Sequence, residues 1–145
     1  MLLNKISQNH PMLTEAKIFA MSPSEYMSAT QLDYFKTLLE NQLADIETNM
    51  SHTSEHLREK EDAADPVDRA TQEEVRGLEL RARDRERKHI KTIESALRRI
   101  EDGTYGYCEE TGEPIGIARL IARPTTKLSI EAQERHERRE RQFSN

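Results

Sequence analysis

The chain has 145 residues, of which 34% are hydrophobic and 34% charged, with no Trp and three Phe. That supply excludes a large round core but suffices for a narrow seam between long helices, which needs only about two or three apolar residues in seven. The net charge is −5 with both signs mixed, and residues 61–100 carry ten acidic and ten basic side chains, which argues against a DNA-binding protein with one basic face. Cys108 is the only cysteine, so no intramolecular disulfide can form, and a reducing compartment is expected. No run reads as a signal peptide, and none approaches the ~20 apolar residues of a membrane span. The expectation is a soluble, cytoplasmic protein. High charge also suits intrinsic disorder, but the periodicity below is too regular for it.

Residues 1–29 are mixed and punctuated by Pro11, Ser22, Pro23 and Ser24. A short helix is expected near Thr14–Met21, in a segment packing on a globular part. From Ala29 the pattern changes. Leu32, Phe35, Leu39, Leu43, Ile46 and Met50 form one helical stripe, faintly extended by Leu57. The spacing predicts a helix over about Ala29–Lys60. A second stripe begins after Pro66 with Val75, Leu78, Ala82, His89, Ile93, Leu97 and Ile100, which predicts a helix over about Pro66–Asp102. Gly77 within it costs about 1 kcal/mol. Neither helix can bury its stripe alone. The short break between them favours an antiparallel hairpin, about 45 Å long, over a dimeric coiled coil.

The break reads Asp65-Pro66-Val67-Asp68-Arg69-Ala70. Asp65 fits an N-cap, Pro66 the first helical position, and Asp68 the first turn near the positive helix end. A long arm displaying carboxylates at its far end can also probe a metal-bearing or basic site in a partner. The two readings are compatible. After Asp102, Gly103, Gly106, Gly112, Pro114, Gly116 and Pro124 mark a small turn-rich module. A charged C-terminal helix follows, with Ser129 as its N-cap. The fold expected is mainly α: an N-terminal segment (1–29), a hairpin (30–102, tip near 62–71), a degenerate zinc-finger-like module (103–128) and a C-terminal helix (129–145).

Within the module, Cys108, Thr111, Ser129 and Ala132 have the C-x2-C-x17-C-x2-C spacing of a four-cysteine zinc site. Only the first ligand is present. Structural zinc wants four soft or borderline donors, so no metal is expected. Help from His136 or Glu109 is not expected, and Cys108 alone reads as a small buried hydrophobe. With no metal, Tyr105, Tyr107, Ile115, Ile117, Leu120, Ile121, Leu128 and Ile130 are expected to pack at the hairpin base. A hydrogen bond between the Thr111 and Ser129 hydroxyls is expected to join the two knuckles.

The runs EYMSATQLDYFKTLLE (25–40), DPVDRATQEE (65–74), LELRARDRERKHIKTIE (78–94) and YGYCEETGEPIGIARLIARPTTKLSIEA (105–132) resemble the DksA/TraR family over Glu25 to Ala132. The missing cysteines make the chain similar to zinc-independent members that some bacteria keep beside a zinc-containing one. The resemblance implies a non-enzymatic regulator whose coiled coil enters the secondary channel of RNA polymerase, near the β′ subunit. Asp65, Asp68 and Ala70 would then lie near the catalytic region. It also implies cooperation with the alarmone ppGpp, and membrane or sequence-specific DNA binding is not expected. Arg123 matches a ppGpp contact of the family. Thr92 and Gln133 stand where better-known members carry Lys, and Lys88, Lys91 and Lys127 are nearby cations that could compensate. A monomer is expected. The alternatives are a Gre-type transcript-cleavage factor, which would end in a β-rich domain, a structural coiled-coil adaptor, and a DNA-binding zinc finger.

Overall fold

The structure is a computed structural model that describes residues 13–62 and 69–144, with no side chain described from 53 to 62. Helix α1 spans Glu15–Ala20, a single 3-10 turn Pro23–Glu25, α2 Ala29–Asp62, α3 Arg69–Asp102, α4 Ile117–Ala122 and α5 Ile130–Phe143. Among the described residues there is no strand, only an isolated antiparallel bridge between Tyr107 and Pro114. α2 and α3 have 34 residues each, about 50 Å of helix, and pack along one another as a hairpin. Asp65, Pro66 and Asp68 lie outside the described residues.

Each helix start has a local cause. Thr14 accepts from the Lys17 N–H at 3.3 Å and caps α1. Ser28 accepts from Gln31 N at 3.4 Å, and the Gln31 side chain reaches back to Met27 N at 2.9 Å, which gives α2 a variant of the reciprocal capping box. α3 ends where Thr104 N and Tyr105 N both return to the Arg99 carbonyl, with Gly103 at φ +80° just beyond. Ser129 caps α5 by accepting from Ala132 N at 3.2 Å.

The seam follows the predicted stripe on α2 over residues 32–46, and the Leu57 side chain lies outside the described residues. Phe35 and Leu39 are fully buried, and Leu32, Leu43 and Ile46 pack beside them. On α3 the seam differs from expectation. Leu78 is 62% exposed and His89 is exposed; the inward positions are Val75, Glu79, Ala82, Glu86, Ile90, Ile93, Leu97 and Ile100. Their steps of three and four residues fit a continuous stripe, and Leu78 and His89 sit beside it. The basal half of the seam is therefore apolar and the distal half carries carboxylates.

At the base, Ile18, Phe35, Leu39, Ile93, Ala96, Tyr105 and Leu120 form one buried cluster. Helices α1 and α4 pack on each other there. Burying each large side chain of that set contributes about 1.5–3 kcal/mol. Tyr107 at 38% and Ile130 at 52% exposure are not part of it, and Leu128 packs with Cys108 and Ala132 instead, contrary to expectation. Tyr107 instead packs edge-on against Tyr26 at 5.7 Å.

Candidate functional site

The small module is built from backbone bonds around Cys108. Cys108 N donates to Glu113 O at 2.7 Å, Gly112 N to Cys108 O at 2.8 Å, and Glu109 N to Lys127 O at 2.8 Å. Tyr26 clamps this loop from outside the module: its hydroxyl donates to Gly106 O and accepts from Gly116 N at 2.9 Å. Gly106 sits at φ +88°, where any other side chain is strained, and a Cβ there would meet Met27 Sδ at 2.5 Å and push that side chain aside. Below the loop, Tyr105 Oη donates to Pro124 O at 2.7 Å, and burial raises the Tyr105 pKa.

Cys108 is 3% exposed. Burial raises its pKa, but the N–H groups and hydroxyls of Ser129 and Thr111 surround the sulfur, outweigh burial and bring it down to about 6. The expected bond between the Thr111 and Ser129 hydroxyls is absent. Thr111 Oγ1 accepts from Glu113 N and Ser129 Oγ from Ala132 N, and both face the sulfur instead. His136 does not turn to Cys108; it pairs with Glu110, which also meets Arg135 at 3.9 Å and so ties α5 to the knuckle. One thiol, two hydroxyls and the Ala132 methyl do not fit tetrahedral zinc. No group of three or more His, Cys, Asp or Glu side chains among the described residues is placed to hold a metal.

A second place is a cleft of about 410 Å³ between the basal part of α3 and the 123–128 loop. Lys91, Thr92, Ser95 and Arg99 line it from α3, and Arg123, Thr125, Thr126, Lys127, Leu128 and Gln133 from the other side. Three of the four expected cations, Lys91, Arg123 and Lys127, meet here. Lys88 is not in the lining; it sits one turn toward the tip, its carbonyl accepting from Thr92 Oγ1 at 2.9 Å. Arg99 is the residue that sequence reasoning missed, although its place two turns after Lys91 on α3 was a usable signal. Its Nη2 donates to Thr125 O at 3.1 Å, and burial lowers its pKa. Lys127 is partly neutralised by Glu109 at 3.5 Å.

The third place is the tip. Asp65 and Asp68 lie outside the described residues, and Ala70 is exposed in the first described turn of α3. No helix among the described residues is long and apolar enough to cross a membrane.

Comparison with known proteins covers both halves of the chain. The family described as DnaK suppressor protein DksA, N-terminal domain, matches residues 31–100. The family described as prokaryotic dksA/traR C4-type zinc finger matches residues 103–138. The RNA polymerase-binding transcription factor DksA of Caulobacter vibrioides is 54% identical over 136 residues, 92% of this chain and 96% of that protein. Its namesake in Escherichia coli is 48% identical over 121 residues, 83% of this chain and 80% of that protein. The solved structure of the transcription factor DksA2 from Pseudomonas aeruginosa superposes with a TM-score of 0.82 at 42% identity, covering 88% of this chain and 99% of that one. A helical hairpin on a small turn-rich base, matched along nearly its whole length, places this chain in the DksA/TraR family.

Proposed function

We propose that this protein regulates transcription by binding RNA polymerase, with the α2–α3 arm inserted through the secondary channel and Asp68 and Ala70 brought near the catalytic region. The observation that carries the reading is the pair of family matches, one over the arm and one over the basal module, together with the likeness to relatives named as RNA polymerase-binding transcription factors. An arm about 50 Å long can reach into a partner while its base stays outside. No bond is made or broken. The tip shifts the balance between polymerase states by binding one better than another, so short-lived promoter complexes are lost first. A Gre-type cleavage factor carries a β-rich domain, whereas the described residues of this chain form no strand.

The basic cleft, on this reading, takes the phosphates of ppGpp at the boundary with polymerase. Arg123, Lys91 and Lys127 supply charge, and Thr92 and Gln133 supply neutral donors. The protein acts as a cytoplasmic monomer and needs no zinc, because the donor set at Cys108, Thr111, Ser129 and Ala132 is not one that zinc accepts. Co-purification with RNA polymerase and in vitro transcription from a ribosomal promoter test the proposal. Asp68→Asn is expected to retain polymerase binding and lose the transcriptional effect. Failure of the parent protein to bind polymerase, or full activity of the variant, would contradict it. The same assay with and without ppGpp tests the effector, and a cleavage assay on stalled complexes is expected to show no transcript shortening.

A further inference from the structure

We propose that Arg99 is the principal phosphate-binding side chain of the basic cleft, a role that rests on the polyphosphate reading of that cleft. Four cations line the cleft, but their surroundings differ. Lys127 is 59% exposed and already faces Glu109 at 3.5 Å. Lys91 and Arg123 are exposed. Water screens such groups, and ion pairs formed by them are weak. Arg99 is partly buried in the cleft wall, and no salt bridge to it is found among the described residues, the charge of Glu109 reaching it only from beyond contact. Its Nε–H is shielded from solvent and has no hydrogen-bond partner.

A half-buried cation with no carboxylate in contact is unfavourable in the free protein, and an anion in the cleft offsets that penalty. The planar guanidinium can present two N–H groups to one phosphate, which a lysine cannot. It is also preorganised. Nη2 is anchored on Thr125 O at 3.1 Å, and the neighbouring Pro124 O is held by Tyr105 at 2.7 Å. Little ordering remains to be done when a ligand arrives. Thr92, Ser95, Thr126 and Gln133 ring this charge with neutral donors suited to the remaining oxygens. The cleft therefore concentrates phosphate recognition on one arginine, where Thr92 and Gln133 add no charge.

The test is equilibrium binding of radiolabelled ppGpp and of GDP to the complex of polymerase with this protein, after subtracting binding to polymerase alone. Arg99→Gln is expected to weaken ppGpp binding by about tenfold or more, as loss of a charge-assisted hydrogen bond predicts. Lys91→Gln should weaken it by less. The loss should be larger for ppGpp than for GDP, because it follows the number of phosphates. Parent-like ppGpp binding by Arg99→Gln overturns the proposal, as does an equal loss for both nucleotides, which would mark Arg99 as a support of the 123–128 loop alone. Should Arg99→Gln fail to fold, Arg99→Lys decides: a drop of about threefold supports the fork geometry, and unchanged affinity overturns it. If the parent complex binds no more ppGpp than polymerase alone, the reading of the cleft itself falls, and the role of Arg99 with it.

Discussion

Tyr26 and Cys108 do different work in the same module. The Tyr26 hydroxyl serves Gly106 O and Gly116 N together, so Tyr26→Phe leaves a backbone donor and an acceptor without their partner. A loss of about 1–3 kcal/mol is expected in urea denaturation, whereas a change within error would mean that water takes over. Cys108 couples stability to pH. Its folded pKa of about 6 lies below the ordinary thiol value of about 8.5. The thiolate's contribution is therefore fully present above the unfolded value and is lost as pH falls through 6. The stability of the parent relative to Cys108→Ala should be larger at pH 9 than at pH 5.5; a difference that does not change with pH would contradict the surrounding donors' role. The four-cysteine spacing with three ligands missing was legible in the sequence. The donors around the sulfur were not, because they depend on how the two knuckles close, and nothing near residue 26 announced a clamp reaching residues 106 and 116.

α1, α2, α3 and α5 were legible to within a few residues, because apolar spacing and end-capping are local signals; α4 (Ile117–Ala122) was not, since the glycines and prolines around so short a helix read as turns. Ser129 reads as a cap and is one; the reciprocal contact of Ser28 and Gln31 was available in the sequence as S-x-x-Q. The distal seam of α3 was not legible. An apolar residue beside the stripe, Leu78, looks like a better seam member than Glu79, and only contact with α2 shows which one turns inward. Glu86 sits in the seam with Oε2 shielded from solvent and without a hydrogen-bond partner. Glu86→Leu should therefore raise the melting temperature, since an unsatisfied polar atom is removed from the interface. In the apolar half, Ile93→Ala should cost about 2–5 kcal/mol, while Leu78→Gln should stay within about 0.5 kcal/mol. A large loss from Leu78→Gln in thermal denaturation would put that side chain back inside. The polar layer weakens the distal seam without interrupting either helix.

At the scale of the molecule, a mostly polar chain is organised as a lever and a base. The arm needs few apolar residues because it is narrow, and the base gathers Ile18, Phe35, Leu39, Ile93, Ala96, Tyr105 and Leu120 from five parts of the chain. α1 and α4 close that core over the foot of the arm; in a base without zinc this burial takes the place of the cohesion the metal provides in isolated fingers. The partner lay beyond composition and periodicity; only the runs at 65–74 and 105–132 pointed to it, through a resemblance. The central proposal is that a base needing no zinc holds an arm that acts inside RNA polymerase. Its most direct test is in vitro transcription from a ribosomal promoter using protein freed of metal by a zinc chelator and then dialysed. The account predicts the same inhibition before and after treatment. Inhibition that disappears with the chelator and returns with added zinc, or no inhibition at any stage, would contradict it.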